Sequence, residues 1–237
     1  PGEYLRTANA VPIPPLLMTK SGYFKAVFPF ELSWPANFPV PDVRGNKEAI
    51  PIASEDFGSS IFSIQFSPTG TSFAAAKRDG SITLWVRSSS RDLPEEFLQP
   101  LREWNSHQGI ARGLSFSPDG THIATGGGDR TVCVWDAKTN EIRLALRGHA
   151  DQVYAVNFSP DGTRIVTGSG DHTAKVWDAA TGEPQLTLRH ASDVLGVNFS
   201  PDGTHVVTAT VDKTVKVWDV STGQETLTIT GHTGNII

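Results

Sequence analysis

The 237-residue sequence holds one cysteine, Cys133, one methionine, and no block of lysine or arginine. A single thiol cannot close an internal disulfide, which fits a reducing compartment. A formal charge of -5 and a pI near 5.8, without a basic stripe, exclude a general phosphate-binding surface, so no direct nucleic-acid partner is expected. No apolar run approaches the ~18 residues needed to span a bilayer, and the first residues lack a charged start followed by an apolar core. No membrane association is expected, and the expected location is intracellular, cytoplasmic or nuclear. There is no G-x-S-x-G to place a nucleophile on a strained elbow. The run Gly126-Gly127-Gly128 is not followed by Lys-Ser/Thr at the spacing of a phosphate loop.

What the sequence does have is repetition. The phrase FSPDGT begins at Phe116, Phe158 and Phe199, and a variant, FSPTGT, begins at Phe66. Trp85, Trp135, Trp177 and Trp218 each follow that Phe by 19 positions, and the steps from one Trp to the next are 50, 42 and 41 residues. Each unit therefore has an interior of fixed length joined by variable spacers. Within a unit, apolar segments such as YAVNF, RIVTGS, TAKVWD and PQLTLRH alternate with the turns SPDG, GDHT and ATG, which reads as four antiparallel strands. Strict alternation in YAVNF would point Tyr154, Val156 and Phe158 one way and Ala155 and Asn157 the other, with neither side charged. In the first unit the strands are expected at Ile61 to Phe66, Ser72 to Ala76 and Ser81 to Val86. The longer step places an insertion between Arg87 and Glu103, whose Pro94 and Pro100 favour a loop.

A period of roughly 40 to 45 residues with GH and WD signposts resembles the WD40-repeat family, over about Ala49 to His232. The resemblance implies an all-β propeller with four recognisable four-stranded blades and the start of a fifth at Gly231. The expected division is a Pro- and aromatic-rich arm over residues 1-48, followed by repeats over 49-237. Residues Pro1 to Pro51 carry 9 of the 16 prolines. Ala49 to Ala53 align with the fourth strand of a unit. Because the family commonly has seven blades and the sequence opens on Pro1 rather than Met, a partial propeller is expected.

The histidines and acids recur with the units. His107, His149 and His190 stand 9 positions before the Phe; Thr125, Thr167 and Thr208 stand 10 before the Trp; Asp129, Asp171 and Asp212 stand 6 before it. A catalytic constellation is normally unique, whereas three copies point to architecture. The resemblance implies hydrogen-bonded tetrads: His107, Thr125, Asp129 and Trp135; His149, Thr167, Asp171 and Trp177; His190, Thr208, Asp212 and Trp218. The first unit has Asp79 and Trp85, but Ala75 and Phe57 stand where the hydroxyl and the imidazole belong, so its tetrad cannot form and its blade is expected to rely on packing. Most of the 7 histidines lie a whole unit apart, so no metal is expected, and no other cofactor.

The function implied by the resemblance is a non-catalytic protein-interaction scaffold, with partners on the propeller top. The alternatives are a sensor or oligomerisation region of a larger signalling or corepressor protein, and a propeller enzyme, for which no unrepeated polar cluster is found. The family's partner-contacting positions correspond to Ser60 and Phe62, Ile110 and Arg112, Gln152 and Tyr154, and Asp193 and Leu195, with Arg78 beside the first Asp turn. Arg112 and Tyr154 belong to side-chain types enriched in binding hot spots.

Overall fold

The computed structural model describes residues 59–86 and 99–232, together with the strand pair β1 (Tyr23–Phe24) and β2 (Leu32–Ser33). The rest of the arm, Phe57, the segment aligned with a fourth strand at Ala49 to Ala53, and residues 87–98 of the insertion lie outside the described residues.

Four antiparallel sheets follow in chain order. Blade one is β3 (Ile61–Phe66), β4 (Ser72–Lys77), β5 (Ser81–Val86) and β6 (Gln99–Asn105); blade two is β7 (Ala111–Phe116), β8 (His122–Gly127), β9 (Thr131–Asp136) and β10 (Ile142–Arg147). Blade three is β11 (Val153–Phe158), β12 (Arg164–Ser169), β13 (Thr173–Asp178) and β14 (Pro184–Arg189); blade four is β15 (Val194–Phe199), β16 (His205–Thr210), β17 (Val215–Asp219) and β18 (Glu225–Ile229). The turns explain the reversals. Gly120, Gly162 and Gly203 take φ of 71°, 72° and 69° in the SPDG phrase, where a side chain would be strained. The Ser and Asp of the same phrase close on each other, as in Ser159 Oγ donating to Asp161 Oδ1 at 2.5 Å.

Two expectations need correction. The insertion does not stay a loop up to Glu103: β6 starts at Gln99 and pairs Pro100 with Trp85. Proline is tolerated there because β6 is the outermost strand, where a missing N–H faces no further partner. The alternation of YAVNF is also broken. Val153 pairs with Ser169 and Ala155 with Gly168, so Tyr154 is an extra residue, a β-bulge. The same slip places Phe62, Arg112 and Leu195 in bulges on β3, β7 and β15.

The core lies between blades. One face of blade three, with Val153, Val156, Ile165 and Trp177, packs against Val132, Val134 and Leu146 of blade two; its other face, with Val166, Ala174, Val176 and Leu188, packs against Val194, Val206 and Trp218 of blade four. Each outer strand thus sends an apolar side chain to the tryptophan of the following blade. Trp104 meets Trp135 edge-on at 5.9 Å, and Leu146 and Leu188 share clusters with Trp177 and Trp218. Polar residues of the inner strands stitch the same joints: Phe116 N donates to Gln65 Oε1, Phe158 N to Ser115 Oγ, and Asn157 Nδ2 to the Val197 carbonyl.

Among the described residues the array is open: β7 lies beside β3 and β11, β11 beside β15, and β15 does not come back to β3. Both ends therefore expose positions that interior blades bury. Ile229 is 43% exposed where Leu146 and Leu188 are 2% exposed, and Ile64 is 39% exposed where Val156 is 3%. Such faces drive association. Size-exclusion chromatography over a hundredfold concentration range should show concentration-dependent association, reduced by Leu227→Lys with Ile229→Lys; a concentration-independent monomer would remove the claim.

Candidate functional site

Blades two and three each carry a polar chain from the interior to the upper rim. In blade two, Trp135 Nε1 donates to Thr125 Oγ1 at 2.9 Å, the Thr125 hydroxyl lies 2.9 Å from His107 Nε2, and His107 Nδ1 lies 3.0 Å from Asp129 Oδ1. In blade three the corresponding separations are 2.9 Å from Trp177 to Thr167, 2.7 Å from Thr167 to His149 and 2.8 Å from His149 to Asp171. A carboxylate only accepts, so Nδ1 carries the proton and Nε2 accepts from threonine, whose oxygen is left to accept the indole N–H. Each link of the chain donates outward, from indole to hydroxyl to imidazole to carboxylate. The imidazoles are neutral: burial pushes the His107 and His149 pKa values down, and the adjacent carboxylates only partly oppose it.

Burial works against the charge on Asp129 and Asp171, yet both pKa values end below the ordinary carboxylate value because donors surround them. Asp129 accepts from the Thr131 hydroxyl at 2.7 Å and from Gln108 N at 3.0 Å; Asp171 accepts from the Thr173 hydroxyl at 2.6 Å and from Ala150 N at 2.9 Å. The contribution of Thr131 and Thr173 was missed in the sequence, although Asp-x-Ser/Thr recurs as Asp79-Gly-Ser81, Asp129-Arg-Thr131, Asp171-His-Thr173 and Asp212-Lys-Thr214.

Blade four departs from the expected tetrad. Trp218 Nε1 donates to Thr208 Oγ1 at 3.0 Å and Thr208 lies 2.8 Å from His190 Nε2, but His190 Nδ1 turns to the Leu188 carbonyl at 3.2 Å. Asp212 instead accepts from the hydroxyls of Thr210 at 2.6 Å and Thr214 at 2.8 Å. Thr210 holds the station of Gly127 in blade two and Ser169 in blade three; the Ser169 hydroxyl donates to the Asp151 carbonyl at 3.0 Å and leaves Asp171 to His149, whereas the Thr210 hydroxyl turns to Asp212 itself. In blade one the place of the tetrad is taken differently: Phe73 stacks on Trp85 at 4.9 Å with the planes 10° apart, and the buried Lys77 ammonium pairs with Glu103 at 3.0 Å. Packing is thus joined by an ion pair that the sequence reading did not anticipate.

The bulged residues form a second constellation. The Arg112 guanidinium lies 5.0 Å from the centre of the Phe62 ring and 4.9 Å from that of Tyr154, so one cation from blade two sits between aromatic rings of blades one and three. The Tyr154 hydroxyl donates to Asp193 Oδ2 at 3.4 Å, and Asp193 Oδ1 lies 3.2 Å from His172 Nε2. Ser60, Ile110, Gln152 and Asp193 occupy one station: the carbonyl of each accepts from the turn after the second strand, from Arg78, Gly128, Gly170 and Val211 respectively. The structure thus brings Phe62, Arg112, Tyr154 and Asp193 together, whereas Arg78 is exposed on its turn and Leu195 and Ile110 make no polar or ring contact with them.

Four segments, residues 54–86, 98–136, 140–178 and 182–219, match the WD domain, G-beta repeat family. The chain belongs to this family. It is 34% identical to WD repeat-containing protein 1 of Mus musculus over 79 residues, 33% of this chain and 12% of that protein. It is 31% identical to Actin-interacting protein 1 of Drosophila melanogaster over 91 residues, 38% of this chain and 14% of that protein. It is 31% identical to Protein LST8 homolog of Drosophila pseudoobscura pseudoobscura over 94 residues, 40% of this chain and 29% of that protein. The chain thus spans less than a third of the length of these relatives. WD-repeat proteins are in general scaffolds for protein interaction and in general non-catalytic. Among the described residues no group of three or more His, Cys, Asp or Glu is placed to hold a metal ion, and no helix is long and apolar enough to cross a membrane.

Two outcomes follow from the tetrad geometry. Asp171→Ala strands the His149 Nδ1 proton and three further donors, the Ala150 and Thr173 amides and the Thr173 hydroxyl, and should cost about 1 to 3 kcal/mol; Asp212→Ala, which leaves His190 bonded to Leu188, should lower the melting temperature less. Equal losses would contradict the difference between the blades. The second concerns pH. Burial, helped by Lys216, holds the His190 pKa at about 4 against the Leu188 carbonyl, Asp212 and Glu225, below an ordinary value of 6.5. The unfolded chain therefore takes up a proton near pH 6.5 that the folded chain refuses until about pH 4. Stability present above pH 6.5 is lost through that window, ahead of carboxylate protonation, and melting at pH 5 should fall on the order of 5 °C below that at pH 7.5.

Proposed function

We propose that this chain is a non-catalytic interaction scaffold whose partner docks on the upper rim of the blades, centred on Arg112 and Tyr154, with Phe62, Gln152 and Asp193 beside them and Arg78 and Ile110 at the margin. One observation carries the reading: Arg112 is clamped between two rings, yet its Nε is buried without an acceptor. A cation ordered at the cost of side-chain entropy and left without an anion is suited to one supplied from outside. The polar groups that would otherwise suggest chemistry are consumed inside the blades: each tetrad member meets another in blades two and three, and in blade four Asp212 is taken up by Thr210 and Thr214. Rigid bulged strands then hold the rim residues in place without constraining their identity.

A second reading, as the sensor or oligomerisation region of a larger signalling or corepressor protein, is favoured by the apolar faces left open on blades one and four. The two are compatible, since one uses the rim and the other the sheet faces.

Affinity purification followed by mass spectrometry should recover at least one protein with the wild type that both Arg112→Ala and Tyr154→Ala lose while still melting cooperatively. An identical set of captured proteins in all three would remove the rim assignment.

A further inference from the structure

Resting on the proposed rim, the geometry points to the chemistry of the partner group that meets Arg112: the carboxylate of an aspartate or glutamate side chain in a partner peptide, taken edge-on by the guanidinium between Phe62 and Tyr154.

Rings at 5.0 and 4.9 Å occupy the guanidinium's surroundings and attract it through their π clouds. Stacking satisfies no N–H bond, because all five donors of a guanidinium lie in its plane. No ion pair among the described residues includes Arg112, although carboxylates stand nearby: Asp193 is engaged by His172 and the Tyr154 hydroxyl. Nε is buried without an acceptor, and among the described residues no hydrogen bond reaches either terminal nitrogen, so the Nη1–Nη2 side is the fork left for a carboxylate to meet with two parallel hydrogen bonds.

The same neighbourhood selects among anions. A Cβ placed on Gly170 would lie 3.1 Å from Asp151 Oδ2 and 3.2 Å from the Tyr154 hydroxyl, so Asp151 stands on one side of that hydroxyl while Asp193 bonds to it. A phosphate dianion entering beside Tyr154 meets two carboxylates, and its repulsion is roughly double that of a monoanion at equal distance. A single carboxylate neutralises Arg112 with the smaller penalty.

The test is selection of a displayed random dodecapeptide library, each peptide flanked on both sides so that no free C-terminus is present, on the 237-residue chain. Binders are then re-measured on Arg112→Ala, Arg112→Lys and Arg112→Gln, each checked for an unchanged melting curve. The expected result is a set of Arg112-dependent binders sharing an acidic position. Asp→Asn or Glu→Gln there should weaken binding at least tenfold, and Arg112→Lys, which keeps the charge and loses the fork, should weaken it about as much. Arg112-dependent binders with no acidic position would overturn the carboxylate and leave the rim standing. Phosphoserine at that position binding tenfold more tightly than glutamate would overturn it as well. If no binder depends on Arg112, both the carboxylate and the rim fall.

Discussion

A threonine hydroxyl placed between an indole N–H and an imidazole is the contact on which the rest of each complete blade depends. It joins the second strand to the third through Trp135, Trp177 or Trp218, and to the loop entering the blade through His107, His149 or His190. Because the hydroxyl donates in one direction and accepts in the other, it fixes the histidine tautomer and leaves Nδ1 to reach a carboxylate or a carbonyl. The tryptophan held in this way is the surface that the preceding blade covers with Leu146, Leu188 or Trp104. A polar contact within one sheet therefore prepares the apolar contact between sheets.

That division of labour decides where function can lie. The acids and imidazoles are internal ties, and the apolar faces are spent on neighbouring blades except at the two ends. The surface proposed for recognition is the rim, where four bulges at one station turn a residue out of the ladder. In three successive blades those residues are Phe62, Arg112 and Tyr154, and their stack spans two joints between blades. The bulge supplies the position, and the sequence at the bulge supplies the chemistry.

Much of this was legible from the residues alone, for a physical reason: the Phe-to-Trp spacing is a count of residues through two hairpins, and hairpins preserve register. The strands and the stations of His, Thr, Asp and Trp follow from it. The partner of Asp212 was not legible, because the choice between His190 and the hydroxyls of Thr210 and Thr214 is a competition among close neighbours that spacing does not resolve. The bulge at Tyr154 was hidden by a sequence that alternates well enough to pass for a regular strand. Pro100 read as a loop residue because the pattern did not say that its strand would be the outermost. Blade one could be recognised as lacking a tetrad, but the Lys77–Glu103 pair joins strands across a segment whose pattern the insertion had obscured.

The central claim is that the histidines are neutral relay members with their proton on Nδ1, held for structure. Long-range nitrogen–proton NMR of the imidazoles reads this directly. The account predicts that His107 and His149 each show a single neutral form, protonated on Nδ1, that persists well below the ordinary histidine pKa; imidazoles that titrate at the ordinary value, or that carry the proton on Nε2, would contradict it.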